Sequence, residues 1–238
     1  MNRILFKPAE VAQGIAEFGG ARAAHVLGVL HGEVGQRLKV GVVTGHIPLK
    51  DVPAAITEEK ILSKLRLMNE SLQRDFGISN PQIAVLSLNP HSGDSGLLGD
   101  EEQKIIIPAI RKATEEGILA FGPFSPDGYF GMGHYERFDA TLAMYHDQGL
   151  APFKAIAFED GVNYTAGLPV VRTSPDHGTA FELAGRDEAD PRSMRAAIFA
   201  AIDIYNNRIA WQKLQDGKLI EKPSEDEHSE RPGRPQIA

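Results

Sequence analysis

The chain has 238 residues, enough to bury a substantial core, and its 42% hydrophobic and 24% charged residues are typical of a globular protein. A formal net charge of −7 argues against nucleic acid or an anionic membrane as a partner. The absence of cysteine excludes disulfides, thiolate metal sites and a cysteine nucleophile. The sequence also lacks a signal-peptide pattern and the roughly 18-residue apolar run of a membrane span, so we expect a cytoplasmic protein.

From residue 38 onward the predicted elements alternate between strands and helices. A β-branched apolar run at 38–44 predicts a buried strand. Thr57 is a predicted N-cap for a helix whose apolar stripe extends from Ile61 to Phe76, and Gly77 supplies its stop. Further strands are predicted at 82–88, 118–122 and 139–145.

Two more helices complete the pattern. Asp100 and Gln103 form a predicted capping box for a helix that ends at Gly117, and residues 194–211 form a late helix. The alternation predicts an α/β fold with a largely parallel sheet flanked by helices, over residues 38–220. Residues 221–238 are charged, contain several prolines and lack large apolar groups, which predicts a disordered tail.

Three histidines come just after three of these predicted strands. They are His46 after 38–44, His91 after 82–88 and His146 after 139–145. Open α/β sheets place their ligands at the carboxyl ends of strands, and three imidazoles are a common catalytic metal set with an open coordination position. Alternatively, each histidine only satisfies backbone groups at a strand end. The residues alone leave both interpretations open.

Two other features could bind an anion. Gly93, Gly96 and Gly99 lie between a strand and a helix, where backbone N–H groups can face an anion, although a flexible turn explains them equally well. Lys154 and Arg172 could clamp a phosphate or carboxylate, with surface ion pairs as the alternative.

Four longer segments resemble one known family. They are "TGHIPLKDV" (44–52), "LSLNPHSGDSGLLGDEE" (86–102), "LAMYHDQGLAPFK" (142–154) and "GVNYTAGLPVVRTSPDHGTAFELAG" (161–185). They are similar, in the same order, to signature segments of the 4-hydroxythreonine-4-phosphate dehydrogenases, which act in pyridoxal 5′-phosphate (vitamin B6) synthesis. The resemblance covers about residues 38–210.

The resemblance implies a fold like that of isocitrate and isopropylmalate dehydrogenases and a homodimer with its active site near the subunit interface. It makes His46, His91 and His146 ligands of a divalent metal, which is zinc, manganese, cobalt or magnesium. It makes Lys154, Asn163 and Arg172 substrate-binding residues. NAD is the expected hydride acceptor, with NADP as the alternative, and its binding residues are not identified. Asp147 is a candidate proton acceptor, or else orients a histidine.

The family also carries a long N-terminal portion with a substrate-contacting His-Thr pair. Residues 1–37 contain no such pair and form a divergent segment. Three functions therefore stay open: metal-assisted, NAD-dependent oxidation with decarboxylation of 4-phosphohydroxy-L-threonine, dehydrogenation of a phosphorylated four-carbon sugar acid, and a catalytically weak metal-binding remnant.

Overall fold

A computed structural model describes residues 26–29, 38–176 and 181–217. Most of the divergent segment predicted at 1–37, and the disordered tail predicted at 221–238, lie outside these described residues.

Seven strands in this part of the chain form one sheet. The strands are β1 (Val26–Val29), β2 (Lys39–Val42), β3 (Gln82–Leu86), β4 (Leu119–Phe124), β5 (Ala140–Ala143), β6 (Val162–Thr165) and β7 (Thr173–Pro175). The helices are α1 (Val52–Ala55), α2 (Glu58–Arg74), α3 (Ile107–Glu115), α4 (Pro126–Gly131), α5 (His146–Ala157) and α6 (Arg192–Asp216). Short 3₁₀ turns lie at Leu49–Asp51, Pro90–Gly96, His134–Arg137 and Phe181–Leu183.

The sheet has a parallel half and an antiparallel half. Its strand order is β4-β3-β5-β2-β1-β6-β7. Strands β4, β3, β5 and β2 pair in parallel, whereas β1 is antiparallel to both of its neighbours and β7 is antiparallel to β6. The predicted α/β fold with a parallel sheet flanked by helices is confirmed, and the antiparallel half is an addition that the sequence patterns did not indicate.

Helix α2 forms as its sequence predicts. The Thr57 hydroxyl accepts a hydrogen bond from the Lys60 N–H at 3.2 Å, and two glutamates occupy the first turn. Glutamates there interact favourably with the positive end of the helix dipole. The apolar stripe is buried in the core at Ile61, Leu65, Met68 and Leu72.

The capping box predicted at Asp100 and Gln103 is wrong. Residues Glu102–Ile106 form a π-helical turn that leads into α3, and no side chain caps its N-terminus. The Asp100 carboxylate forms an ion pair with Lys104 one turn later. The carboxylate that turns inward is that of Glu102, which is only 2% exposed.

Helices cover both faces of the sheet. The larger core contains buried side chains of α2, α3 and α6 together with those of the strands, and the smaller one contains Phe153 of α5 and Tyr129 of α4. Helix α6 packs closely because its inner face carries small residues, and the Thr173 hydroxyl of β7 donates to the Ala197 carbonyl at 2.8 Å. None of the helices in the described ranges is long and apolar enough to cross a membrane.

Candidate functional site

The three histidines follow three neighbouring strands. Strand β5 lies between β2 and β3 and is parallel to both. His146 therefore begins α5 directly after the middle strand, while His46 and His91 follow the two flanking strands. All three side chains belong to residues at least partly open to solvent, so a ligand can reach this edge of the sheet.

The rings of His46 and His146 lie close together. Their centroids are 5.2 Å apart, with an angle of 49° between the ring planes. A metal bound about 2.0–2.1 Å from an imidazole nitrogen lies roughly 3.2 Å from the ring centroid, so two rings at a tetrahedral angle have centroids about 5.2 Å apart. The observed separation fits two imidazoles that share one ion.

Asp147 contacts the second of these rings. Its Oδ1 atom lies 2.6 Å from Nδ1 of His146. A carboxylate at Nδ1 fixes the orientation of the ring and leaves Nε2 available to a metal, which is the usual arrangement around histidine ligands. This contact favours orientation of His146 as the role of Asp147, rather than proton acceptance.

His91 is separate from the other two histidines. It lies in the turn Pro90–Gly96, where every residue from His91 to Ser95 has a positive φ. Hydrogen bonds from Ser125 and the Gly128 backbone lower the pKa of Asp127, and His91 adds a smaller electrostatic contribution. Within the described ranges, no three His, Asp or Glu side chains are grouped so that they could hold a metal ion. His46 and His146 can therefore supply two nitrogen donors to a divalent metal. The assignment of His91 as the third ligand stays a prediction.

Glu102 holds the start of the His91 turn. Its Oε1 accepts hydrogen bonds from the backbone N–H groups of Leu88 at 2.8 Å and Asn89 at 2.7 Å, and its Oε2 accepts one from the Asn89 amide at 3.0 Å. The backbone N–H groups that follow β3 therefore bind the carboxylate of Glu102, an anion of the chain itself. Sequence reasoning missed this residue, although a glutamate pair after a glycine-rich turn was visible.

Gly93 is closely surrounded by other atoms in the turn Pro90–Gly96. A Cβ atom there would lie 2.6 Å from Glu102 Oε2 and 2.6 Å from the Gly99 carbonyl oxygen, at a φ of +77°. We expect Gly93→Ala to lower the thermal unfolding midpoint more than Gly117→Ala, because Gly117 has a similar φ of +80° with open space around it. The control change isolates the backbone cost, about 1–2 kcal/mol. Equal losses in the two variants, measured by calorimetry, would contradict the proposed packing.

Of the predicted substrate residues, Asn163 lies in β6, Arg172 directly precedes β7, and Lys154 lies in α5. The Arg172 guanidinium donates to the Thr165 hydroxyl at 2.8 Å, and the Lys154 ammonium lies 3.8 Å from the Asp176 carboxylate. The side-chain oxygen of Asn163 is buried and accepts no hydrogen bond from any described residue. A buried acceptor without a donor is costly, so this atom is suited to a ligand's N–H or O–H group.

Arg172 and Lys154 lie near opposite ends of the β6–β7 strand pair. Strand β6 runs in the same direction as β2, so its Thr165 end and the neighbouring Arg172 belong to the edge that carries His46. Lys154 lies eight residues after His146 in α5, which places it about 12 Å along the helix from that edge. One chain therefore does not bring the two cations together as a single clamp, and their substrate roles stay predictions.

Comparisons with known proteins point in one direction. Residues 13–201 match the family described as pyridoxal phosphate biosynthetic protein PdxA. The chain is similar to the 4-hydroxythreonine-4-phosphate dehydrogenase of Bacteroides thetaiotaomicron, with 59% identity over 170 residues, which are 71% of this chain and 47% of the relative. For the enzyme of the same name from Geobacter metallireducens, the identity is 48% over 190 residues, which are 80% of this chain and 54% of the relative.

A solved structure agrees with these sequence matches. The crystal structure of the 4-hydroxythreonine-4-phosphate dehydrogenase from Klebsiella pneumoniae superimposes with a TM-score of 0.66 at 38% identity, covering 79% of this chain and 56% of that one. The chain thus spans about half the length of the relatives it matches.

Proposed function

Since the chain belongs to the pyridoxal phosphate biosynthetic protein PdxA family, we propose that it takes part in the NAD-dependent oxidation, with decarboxylation, of 4-phosphohydroxy-L-threonine in pyridoxal 5′-phosphate synthesis. The observation that carries this proposal is the pair of imidazoles of His46 and His146, 5.2 Å apart at the carboxyl edge of the parallel strands. The matched relatives are named 4-hydroxythreonine-4-phosphate dehydrogenase, which supports this choice of substrate. The homodimer and the cytoplasmic location belong to the proposal as predictions.

His46 and His146 would hold a divalent metal, with His91 as the third ligand. His91 reaches the ion either by rearrangement of the turn Pro90–Gly96 or from a second copy of the chain in the homodimer. When bound, the metal would supply a Lewis acid next to the substrate hydroxyl, and NAD would supply the hydride acceptor. Neutral imidazoles suit zinc, manganese or cobalt better than magnesium. Asp147 keeps the His146 ring in its ligating orientation through the contact at Nδ1.

The substrate would be oriented by side chains of the β6–β7 pair and of α5. The buried oxygen of Asn163 accepts from an amino or hydroxyl group of the substrate, since it lacks a donor among the described residues. Arg172 binds an anionic group by its planar fork, and Thr165 holds that fork in place. Lys154 would attract the second anionic end as a point charge from a second copy of the chain in the homodimer, since Arg172 and Lys154 of one chain lie at opposite ends of the β6–β7 pair. Orienting the reacting carbon toward the hydride acceptor lowers the entropic part of the barrier.

One assay separates the three open functions. Formation of NADH is followed with 4-phosphohydroxy-L-threonine and with a phosphorylated four-carbon sugar acid, each before and after metal removal and resupply. Metal-dependent turnover of the first substrate supports the proposal, and preference for the second would replace it with the sugar-acid alternative. A metal-loaded chain that turns over neither substrate would make it a metal-binding remnant.

Arg172→Lys tests the substrate side. We expect KM for the substrate to rise about 10- to 100-fold with the thermal midpoint nearly unchanged, because the fork is lost while the charge remains, and a hydrogen bond to a charged group is worth about 1.5–3 kcal/mol. Steady-state kinetics measure the effect. Arg66→Lys is a matched control, since Arg66 of α2 forms a bidentate contact with Glu116 at the end of α3, outside the site. An unchanged KM in Arg172→Lys would leave Arg172 as a purely structural partner of Thr165.

A further inference from the structure

Gln148 joins two strand ends that the backbone ladder no longer connects. The pairing of β3 with β5 runs from Ile83↔Ala140 to Val85↔Leu142. Beyond it, the Met144 N–H donates to the Gln148 side-chain oxygen at 2.7 Å, and the Gln148 amide donates to the Ser87 carbonyl at 2.7 Å. The side chain thus replaces a pair of backbone hydrogen bonds where the strands diverge.

Thr44 joins the end of β2 to the end of β5. The Thr44 hydroxyl donates to the Met144 carbonyl at 2.8 Å, and the Thr44 N–H donates to the same oxygen at 3.1 Å. The Met144 carbonyl therefore accepts hydrogen bonds from Thr44, which follows β2. The Met144 N–H donates to Gln148, which in turn donates to Ser87 after β3. The exposed fractions are 0% for Met144 and Ser87, 4% for Thr44 and 9% for Gln148, so water does not compete for these bonds.

These connections lie directly before the three histidines. His46 comes two residues after Thr44, His146 two residues after Met144, and His91 four residues after Ser87. His46 and His146 follow their strand ends by only two residues, so a shift of one end against the other also displaces these rings. Metal and catalytic groups tolerate displacements of only about 0.5 Å, so the placement of the strand ends matters for the spacing of the two rings.

We propose that Gln148 and Thr44 are positioning residues, which fix the relative placement of the strand ends that carry His46, His91 and His146. The role in metal binding rests on the proposed function, whereas the effect on ring spacing does not. The competing explanation is that both side chains only satisfy buried backbone groups, as they would anywhere in a core. That explanation predicts a loss of stability without a change at the histidines.

The experiment compares two variants with one control. Gln148→Leu removes both bonds at similar volume, and Thr44→Val removes only the hydroxyl bond to Met144. Thr173→Val is the control, because the Thr173 hydroxyl also donates to a backbone carbonyl, that of Ala197, but on the edge strand β7, three strands away from β2. Three quantities are measured on the full chain: the thermal midpoint, the Kd for Co²⁺ alone, and the nuclear Overhauser effect between the ring protons of His46 and His146 in metal-free protein with labelled histidine.

We expect all three variants to lower the thermal midpoint, and only the first two to affect the site. Gln148→Leu should weaken Co²⁺ binding about 10- to 100-fold, the usual loss when a residue behind metal ligands is removed. It should also weaken the ring-to-ring signal, because the Met144 N–H, two residues before His146, loses the side-chain oxygen that holds it. Thr44→Val should change both in the same direction by less, and it decides the question if Gln148→Leu does not fold. Thr173→Val should change neither.

Unchanged Co²⁺ affinity and an unchanged ring-to-ring signal in both variants, with only the thermal midpoint lowered, would overturn the positioning role. If the wild-type chain shows the ring-to-ring signal but does not bind Co²⁺, the metal part of the proposed function is wrong. In that case loss of the signal in Gln148→Leu still supports the positioning role, and its persistence overturns that role.

Discussion

Asp75→Asn should lower the free energy of unfolding by about 3–5 kcal/mol, the range measured when one partner of a buried ion pair is removed. The Asp75 carboxylate is fully buried. Arg208 donates to it at 2.7 and 3.1 Å, Arg74 donates at 2.9 and 3.2 Å, and the Tyr164 hydroxyl donates as well. Replacement leaves two guanidinium groups without their anion. The network joins α2, α6 and β6, so its loss should affect the whole sheet and helix assembly.

The same residue predicts how stability changes in acid. Burial by itself raises the pKa of Asp75, but the hydrogen bonds from Arg74, Arg208 and Tyr164 outweigh it and the pKa is lowered below its usual 3.8. The unfolded chain therefore binds a proton at a higher pH than the folded one. The stabilisation is complete above about pH 4 and is lost as the pH falls through the folded-state pKa. Asp75→Asn should remove this acid-dependent part of the stability curve.

Urea unfolding at neutral pH and at several acidic pH values measures both effects. Asp100→Asn is the matched control, since the Asp100 carboxylate is half exposed and pairs with Lys104 one turn away on the surface. It should leave the free energy of unfolding nearly unchanged. If Asp75→Asn does not fold, Tyr164→Phe removes one donor and should give a smaller loss. A loss in Asp75→Asn as small as that in the control would contradict the role of the network.

The parallel half of the sheet was predictable because each element carries its own signal. A β-branched run is followed by a capped amphipathic helix, and the two patterns are readable within a few residues. The antiparallel strands β1, β6 and β7 have only four, four and three residues. Strands β2 and β5 are equally short but lie within apolar runs, whereas β6 and β7 include polar residues such as Asn163 and Ser174. Their formation depends on pairing across the sheet and on the packing of α6, which local sequence does not encode. The π-helical start at Glu102–Ile106 was missed for the same reason, since Glu102 is drawn inward by backbone groups of another segment.

For the candidate site, sequence predicted the position of each histidine at a strand end but not how the three are grouped. That grouping depends on strand order, and β5 lies between β2 and β3 only in the folded sheet. It also depends on the left-handed backbone at His91, which residue patterns do not reveal. Gln148 was overlooked because a glutamine two residues after a histidine carries no pattern, and its role follows only from the two backbone groups that it reaches.

Replacing His146 by Ala should have the largest effect on activity. His146 comes from the middle strand, and its ring is both the neighbour of His46 at 5.2 Å and the group oriented by Asp147. We expect metal content after purification to fall sharply. Turnover should fall about 10³-fold or more, because Lewis-acid stabilisation by a metal is worth several kcal/mol. Asp147→Asn keeps the ligand and loses only the orienting charge, so its loss of metal affinity should be about 10- to 100-fold.

Elemental analysis and steady-state kinetics on the same preparations measure both quantities. His134→Ala is a matched control, because the 3₁₀ turn His134–Arg137 precedes β5 at its amino end, whereas the three histidines follow the carboxyl ends of their strands, and it should keep wild-type metal content. Stoichiometric metal in His146→Ala would contradict the site as a whole. Stoichiometric metal in His91→Ala, with metal lost in His46→Ala and His146→Ala, would reduce the protein ligands to the two rings that the fold already brings together. Loss of metal in all three would require His91 to reach the ion, and a monomeric metal-bound chain would then assign that reach to rearrangement of the turn Pro90–Gly96 rather than to a second copy.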